Sequence, residues 1–388
     1  MKRILPYLLA TALLICSCGR RTRLMTDAFD RPDYTPRYAS GFDISGSREG
    51  RSTLIRIRDP WQGASGVEQR LLIVRDDEPL PAGYEGPAVK VPVRRAVCMS
   101  SSHVAMFDAL GEIRRVKGVS GIDYLSNAYV QEHRRCGEVR DVGPDSNPDY
   151  ELLTALRPDI VLLYGVTGEN TALTGKLREL GIPYLYIGDY VEQSPLGKAE
   201  WMLVVAELCD CPERGEAVFD WIAGSYRATA ERVAARTAAL PDSLRRPLVL
   251  LNTPYRDTWF LPSPRNYMAQ LIRDAGGRTF CAADSTGNAS RPIDMEEAYL
   301  LASEADYWLN AGSFDSRERL IAQYPKFAKI PAVTDRRVYN NNRRRTPAGG
   351  SDFWESGAVR PDLILNDLVA ILHPEPGDTT LCYYRQLE

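Results

Sequence analysis

Histidine, the side chain from which many metal and catalytic sites are built, is scarce in this sequence. Its 388 residues hold three, His103, His133 and His373, far apart in the chain. A site for bare Zn²⁺ or Mn²⁺ usually gathers several histidines with carboxylates. No CxxC pair is present, so zinc-ribbon and dithiol redox chemistry have no basis here. GxSxG, HExxH and P-loop patterns are missing too, which removes the common hydrolase, metalloprotease and nucleotide-hydrolase signatures. Scattered Asp and Glu are the one route left to a catalytic pair, and the chain reads as a non-enzyme with no resident cofactor. Positive charge is not in excess: the formal net charge is −3, against the basic surface that a general nucleic-acid binder needs. Eight cysteines in this length are too sparse for a disulfide-stapled scaffold. Cys209-Asp210-Cys211 is too close for an unstrained bridge. Most of the thiols are expected to be buried and free, although an oxidising compartment would admit a bridge or two.

Long apolar runs are also few. The one that stands out, residues 4–15 behind Lys2 and Arg3, is broken only by Pro6 and Thr11. A bilayer span needs about 20 apolar residues, so this segment reads as the apolar region of a cleavable leader. Ile15-Cys16-Ser17-Cys18-Gly19 resembles the lipobox of bacterial lipoproteins, and Arg20-Arg21 end the run directly afterwards. The expectation is removal of residues 1–17 and lipidation of Cys18, a diacylated anchor that holds far more firmly than a single chain. That places the chain on the periplasmic side of the cell envelope. Losing Lys2 and Arg3 takes the net charge to about −5.

Residues 18–92 differ from the rest. Segments 38–44 and 52–58 alternate or are β-branched around Gly46-Ser47-Arg48-Glu49-Gly50, which predicts a hairpin, with Leu71-Leu72-Ile73-Val74 as a third strand. The Pro- and Gly-rich stretch 76–92 reads as a linker. From residue 93 short apolar strands alternate with helices, as in a parallel sheet covered on both faces. A long helical stretch follows over 197–241; Val218, Trp221, Ile222, Ser225, Thr229 and Val233 keep a helical period. The alternation resumes over 242–388. The fold class is therefore α/β: two doubly wound lobes, 93–196 and 242–388, joined by a single long helix and preceded by a β-rich extension.

Several segments carry a family likeness. Val97-Cys98-Met99-Ser100-Ser101-Ser102-His103 resembles a characteristic opening strand, loop and helix. The run from Asp149-Tyr150-Glu151 to Arg157-Pro158-Asp159-Ile160-Val161 resembles a motif in which a helix Glu precedes Arg-Pro-Asp and a strand. Residues 295–308, with Ala305-Asp306, look like its counterpart in the second lobe. In this order and spacing, over roughly 93–375, the chain resembles the binding proteins of ABC importers for ferric siderophores, haem and cobalamin. The extension, Asn340-Asn341-Asn342-Arg343 and the 350–357 loop resemble a lipoprotein subgroup from Bacteroidetes-type bacteria. The resemblance implies a ferric siderophore as ligand, with cobalamin or haem as the alternative, and a permease with its ATPase as partners. A surface lipoprotein that captures chelates is a further reading. It also implies that one exposed Glu per lobe docks to the permease: Glu151 in the first, and Glu296, or failing that Glu297, in the second.

Ligands of open α/β sheets bind beyond the carboxyl ends of the strands. That rule puts Ser101, Ser102, His103, Tyr124, Tyr164 and Tyr190 at the cleft from the first lobe. Tyr255, Asn310 and the loop Arg343-Arg344-Arg345 face it from the second, with Trp354 close by as a wall or as packing. Aromatic rings suit a flat chelate, and a guanidinium turned inward would pair with anionic oxygens of a ferric chelate.

Overall fold

The computed structural model describes residues 28–388 apart from 83, 167, 240–245, 283–289 and 376–379. The leader, the lipobox with Cys18, and Pro241, the expected stop of the long helix, lie outside the described residues.

Five strands open the fold: β1 (Arg31–Tyr34), β2 (Phe42–Gly46), β3 (Thr53–Arg58), β4 (Glu68–Val74) and β5 (Ala88–Lys90). They form one sheet in chain order, antiparallel through β4, with β5 parallel to β4. Period-two alternation splits its side chains. Phe42, Ile44, Ile55, Ile57, Leu71 and Ile73 point into the core of the first lobe, and Leu54, Leu72 and Val74 pack under Phe29 on the other face. Each such apolar side chain, fully buried, contributes about 1.5–3 kcal/mol. The predicted hairpin and third strand are thus the centre of a larger sheet, and the stretch read as a linker supplies its fifth strand.

The first lobe holds β6 (Ala96–Cys98), α1 (Ser101–Ala109), β7 (Val116–Val119), α2 (Ala128–His133), β8 (Arg140–Asp141), α3 (Tyr150–Leu156), β9 (Ile160–Leu163), α4 (Thr171–Glu179) and β10 (Tyr184–Tyr186). Its parallel sheet runs β10-β9-β6-β7-β8. Helices α5 (Pro195–Glu200) and α6 (Met202–Leu208) lead into α7 (Pro212–Ala238), the 27-residue helix that joins the lobes. Pro212 begins it where a missing N–H costs nothing. Its buried stripe is Phe219, Ile222, Ala223, Tyr226, Thr229 and Val233. Trp221, expected on that stripe, is exposed and lies against the Arg360 guanidinium instead.

The second lobe contains β11 (Leu248–Leu251), β12 (Trp259–Leu261), α8 (Tyr267–Asp274), β13 (Arg278–Thr279), β14 (Arg291–Ile293), α9 (Met295–Ala302), β15 (Tyr307–Leu309), α10 (Arg317–Gln323), α11 (Pro331–Thr334), β16 (Val338–Asn340), α12 (Ser356–Val359), α13 (Pro361–Leu372) and β17 (Arg385–Gln386). Its sheet runs β13-β11-β15-β16-β17, parallel except for β17. The two lobes repeat one device. The Asp159 amide donates to the Arg95 carbonyl (2.8 Å), and its carboxylate accepts from the Arg94 (2.7 Å) and Arg95 (2.9 Å) amides. Asp306 does the same at Leu248, donating at 2.8 Å and accepting at 2.7 Å. Each Asp thereby ties the entry of an inner strand, β9 or β15, to the start of the adjacent first strand of its lobe, β6 or β11.

Candidate functional site

A cleft of about 820 Å³ lies between the lobes, within the usual range for small-molecule sites. Ser100, Ser101 and Ser102 after β6, Tyr164 and Val166 after β9, and residues 189–193 after β10 form one wall. Asn266 and Tyr267 at the start of α8, with Phe353, Trp354 and the inner face of α12 and α13, form the second. A third comes from outside both lobes: Trp61, Gln62, Gly63 and Ala64 in the turn between β3 and β4.

Aromatic rings are spread over all three walls: Trp61, Tyr164, Tyr190, Tyr267, Phe353 and Trp354. Tyr190 and Trp354 are each about half exposed (51% and 52%), so their surfaces are free to meet a ligand. Burial raises the pKa values of Tyr164 and Tyr267, which keeps both phenols neutral. Charge is sparse and already paired. Lys198, the one cation among the described lining residues, donates to the Asp189 carbonyl at 2.7 Å. It lies 3.8 Å from the Asp189 carboxylate and 5.1 Å from the Tyr267 ring centroid. The buried Glu192 carboxylate accepts from the amides of Ser40 (2.9 Å) and Gly41 (3.1 Å) and from the Trp201 indole (3.0 Å). What remains is a broad apolar and aromatic surface with neutral hydroxyl and amide groups.

Of the residues predicted to line a site, the structure brings Ser101, Ser102, Tyr164, Tyr190 and Trp354 together in this cleft. His103, one residue further along α1, is fully buried and reaches no surface, and neither of its ring nitrogens has a hydrogen-bond partner. Tyr124 lies at the junction of the lobes: its backbone carbonyl is so close to Gly350 that a Cβ there would collide with it. Beside it the Glu355 carboxylate accepts from the Ser126 (2.6 Å) and Asn127 (2.9 Å) amides across the lobes. Tyr255 is exposed in the 252–258 turn, away from the cleft lining. Asn310 is buried, with its side-chain oxygen accepting from the Tyr384 hydroxyl at 2.8 Å.

The arginines do not turn inward as expected. None of Arg343, Arg344 and Arg345 lines the cleft. Arg344 pairs with Asp352 at 3.1 Å and borders a separate hollow of about 510 Å³ with Glu355, Arg360 and Tyr383. Residues 357, 358, 361 and 364 face the cleft whereas 355, 356, 359, 360 and 363 face that hollow, so α12 and α13 separate the two. The physical reason lies in the C-terminal segment. Pairing of β17 with β16, the Asn342 amide on the Phe314 carbonyl (3.0 Å) and Arg385 on Asn342 (2.8 Å) close off the strand ends where these loops were expected to open. Trp259 is core packing, fully buried against Trp308 and Phe327.

Glu151 and Glu296 occupy matching places. Each is exposed, in the first turn of the helix that precedes the Asp-hooked strand of its lobe. Glu297 instead pairs with Arg291 at 3.0 Å.

Sequence reasoning missed Trp61, Gln62, Tyr267 and Phe353. Phe353 lies beside a residue already singled out, and Tyr267 begins a helix that was recognised. Trp61 and Gln62 reach the cleft through tertiary packing alone. Among the described residues no three His, Cys, Asp or Glu side chains gather as a metal site, and no helix is long and apolar enough to cross a membrane.

Comparison with known proteins agrees with this geometry. The family profile described as periplasmic binding protein matches residues 97–342. An uncharacterized lipoprotein of Methanocaldococcus jannaschii is 26% identical over 335 residues, 82% of this chain and 76% of its own length. Among solved structures, a periplasmic binding protein from Veillonella parvula superposes with a TM-score of 0.57 at 15% identity, covering 84% of this chain and 99% of that one. A periplasmic heme binding protein from Pseudomonas aeruginosa superposes with a TM-score of 0.55 at 22% identity, covering 76% and 98%.

Proposed function

This chain belongs to the periplasmic binding protein family, and within it we propose a substrate-binding lipoprotein that delivers a bulky, near-neutral ring chelate to an ABC importer. The family's members are substrate-binding transport proteins; solved neighbours include heme-binding and siderophore-binding proteins, and the sequence resemblance adds cobalamin to the candidate cargo. The observation that carries the choice among ligands is the charge of the cleft. Each of its walls carries aromatic rings, and its one described cation is already held by Asp189. An anionic ferric chelate would enter without a guanidinium to meet it, and an unpaired charge out of water is costly. A corrinoid of the cobalamin type, large and without net charge, loses little there and gains the ring contacts. The siderophore reading drawn from the three arginines therefore gives way to the cobalamin one.

Titration of the purified protein with cyanocobalamin, haemin and an anionic ferric catecholate, followed by tryptophan quenching, tests the assignment. Cyanocobalamin is expected to bind most tightly and the catecholate least. Tight binding of the catecholate with none of cyanocobalamin would overturn it.

The anchor belongs to the same proposal, since a cleft that hands its cargo to a permease gains from being held at the membrane. Cys18→Ala is expected to release the chain from washed membranes, and full retention of that variant would remove the lipoprotein assignment.

A further inference from the structure

The third wall of the cleft belongs to the β-rich extension that precedes both lobes. We propose that the turn between β3 and β4, with Trp61 and Gln62 at its tip, is a specificity-determining wall that contacts the bound chelate. The proposal rests on the cleft being the binding site and adds the element that selects among ring chelates.

The turn is built into its place. The Gln62 amide donates to the Val166 carbonyl at 3.1 Å, tying the turn to the loop after β9. The Trp61 ring meets Tyr186 edge-on, with centroids 5.1 Å apart. Gly165 has no Cβ where one would stand 2.9 Å from the Trp61 Cβ, and a Cβ on Gly188 would meet the Trp201 ring and the Pro60 backbone. Gly165, in the loop after β9, thus makes room for the turn, and Gly188, after β10, makes room for the Trp201 ring beside it. A loop held this way keeps its geometry when a ligand arrives, so its contacts cost little ordering.

The sheet behind the turn is fixed through the cleft itself. Glu192, which lines the cleft, holds Ser40 and Gly41 ahead of β2. Glu200 in α5 accepts from the amides of Arg37 (2.8 Å), Tyr38 (2.8 Å) and Ala39 (2.6 Å) and from the Tyr34 hydroxyl (2.6 Å). With the sheet locked to the first lobe, Trp61 offers a rigid aromatic flank and the exposed Gln62 an amide at the rim. An aromatic face suits the ring system of a chelate, and a primary amide suits a periphery that carries amide groups.

The test uses full-length protein with cyanocobalamin and haemin as probes. Gln62→Ala and Ala64→Glu change exposed or half-buried turn positions, and Trp61→Phe keeps the packing on Tyr186. Trp354→Ala reports on the second wall. If the turn selects the ligand, the turn variants weaken the bound probe about fivefold to fiftyfold and change the ratio of the two affinities, with the melting temperature unaltered. If they bind both probes as wild type does while Trp354→Ala loses affinity, the turn is a bystander and the proposal is overturned. A wild type that prefers haemin would count against the corrinoid assignment alone, because the turn is then judged on haemin.

Discussion

His103 is the residue whose chemistry departs most from its expected role. It lies in α1 beneath the serines of the cleft floor, with no exposed surface and no partner for either nitrogen. Burial pushes its pKa down to about 4, against smaller opposing pulls from Asp189 and the Leu162 backbone. In the unfolded chain the imidazole titrates near 6.5, so between these values the unfolded state binds a proton that the native state refuses. The stability held by the neutral imidazole is therefore complete above pH 6.5 and lost as the pH falls toward 4, a difference of about 3 kcal/mol at most. His103→Leu removes that proton uptake. Urea unfolding at pH 7.5 and pH 4.5 is expected to show the variant gaining on wild type at the lower pH. The raised pKa values of Glu355 and Asp367 act with opposite sign and cancel in the comparison. Parallel losses in the two proteins would mean that His103 protonates freely in the fold.

At the scale of elements, periodicity carries local information, and packing between distant segments carries the rest. Alternation in 42–46 and 53–58 is visible because one face of each strand meets an apolar core. The Asp159 and Asp306 hooks are visible because each is a short motif between a helix and a strand. Strand β5 hides in a Pro- and Gly-rich stretch and is defined by its pairing with β4 alone. Arg75 shows the same limit. It lies just past a predicted strand, but its role depends on Glu207 (2.7 Å) and Asp210 (2.7 Å), more than a hundred residues away. The Arg75–Glu207 pair is buried, and the remaining guanidinium nitrogen donates to the Arg51 carbonyl and the Thr53 hydroxyl. With its donors satisfied the ion pair offsets its own desolvation, and it fixes where the sheet docks more than it adds to stability. In the first lobe the strand-end rule found three stretches of the cleft wall. It failed in the second, where β17 and the C-terminal segment close those ends.

At the scale of the whole molecule, the proposed delivery needs both lobes presented at once to a permease, and on that proposal the two helices before β9 and β15 carry the docking carboxylates. Glu151 and Glu296 are exposed in their first turns, where the helix dipole favours a carboxylate and the side-chain caps of Asp149 and Asp294 hold the turn rigid. Neither residue lines the cleft. Charge on a rim steers docking and fixes orientation while adding little to the stability of the free protein. Glu151→Arg and Glu296→Arg are therefore each expected to cut uptake by reconstituted importer about tenfold, and together to abolish it, because in the proposed docking each carboxylate meets a cation that a reversed charge would repel. Cyanocobalamin affinity should stay within about twofold of wild type, since the cleft is untouched. Glu297→Arg is the control: that carboxylate is already paired with Arg291, and its loss should leave uptake nearly normal. Undiminished uptake by Glu151→Arg would make that carboxylate an ordinary surface group. A loss in Glu297→Arg equal to that in Glu296→Arg would move the second contact one residue along the helix.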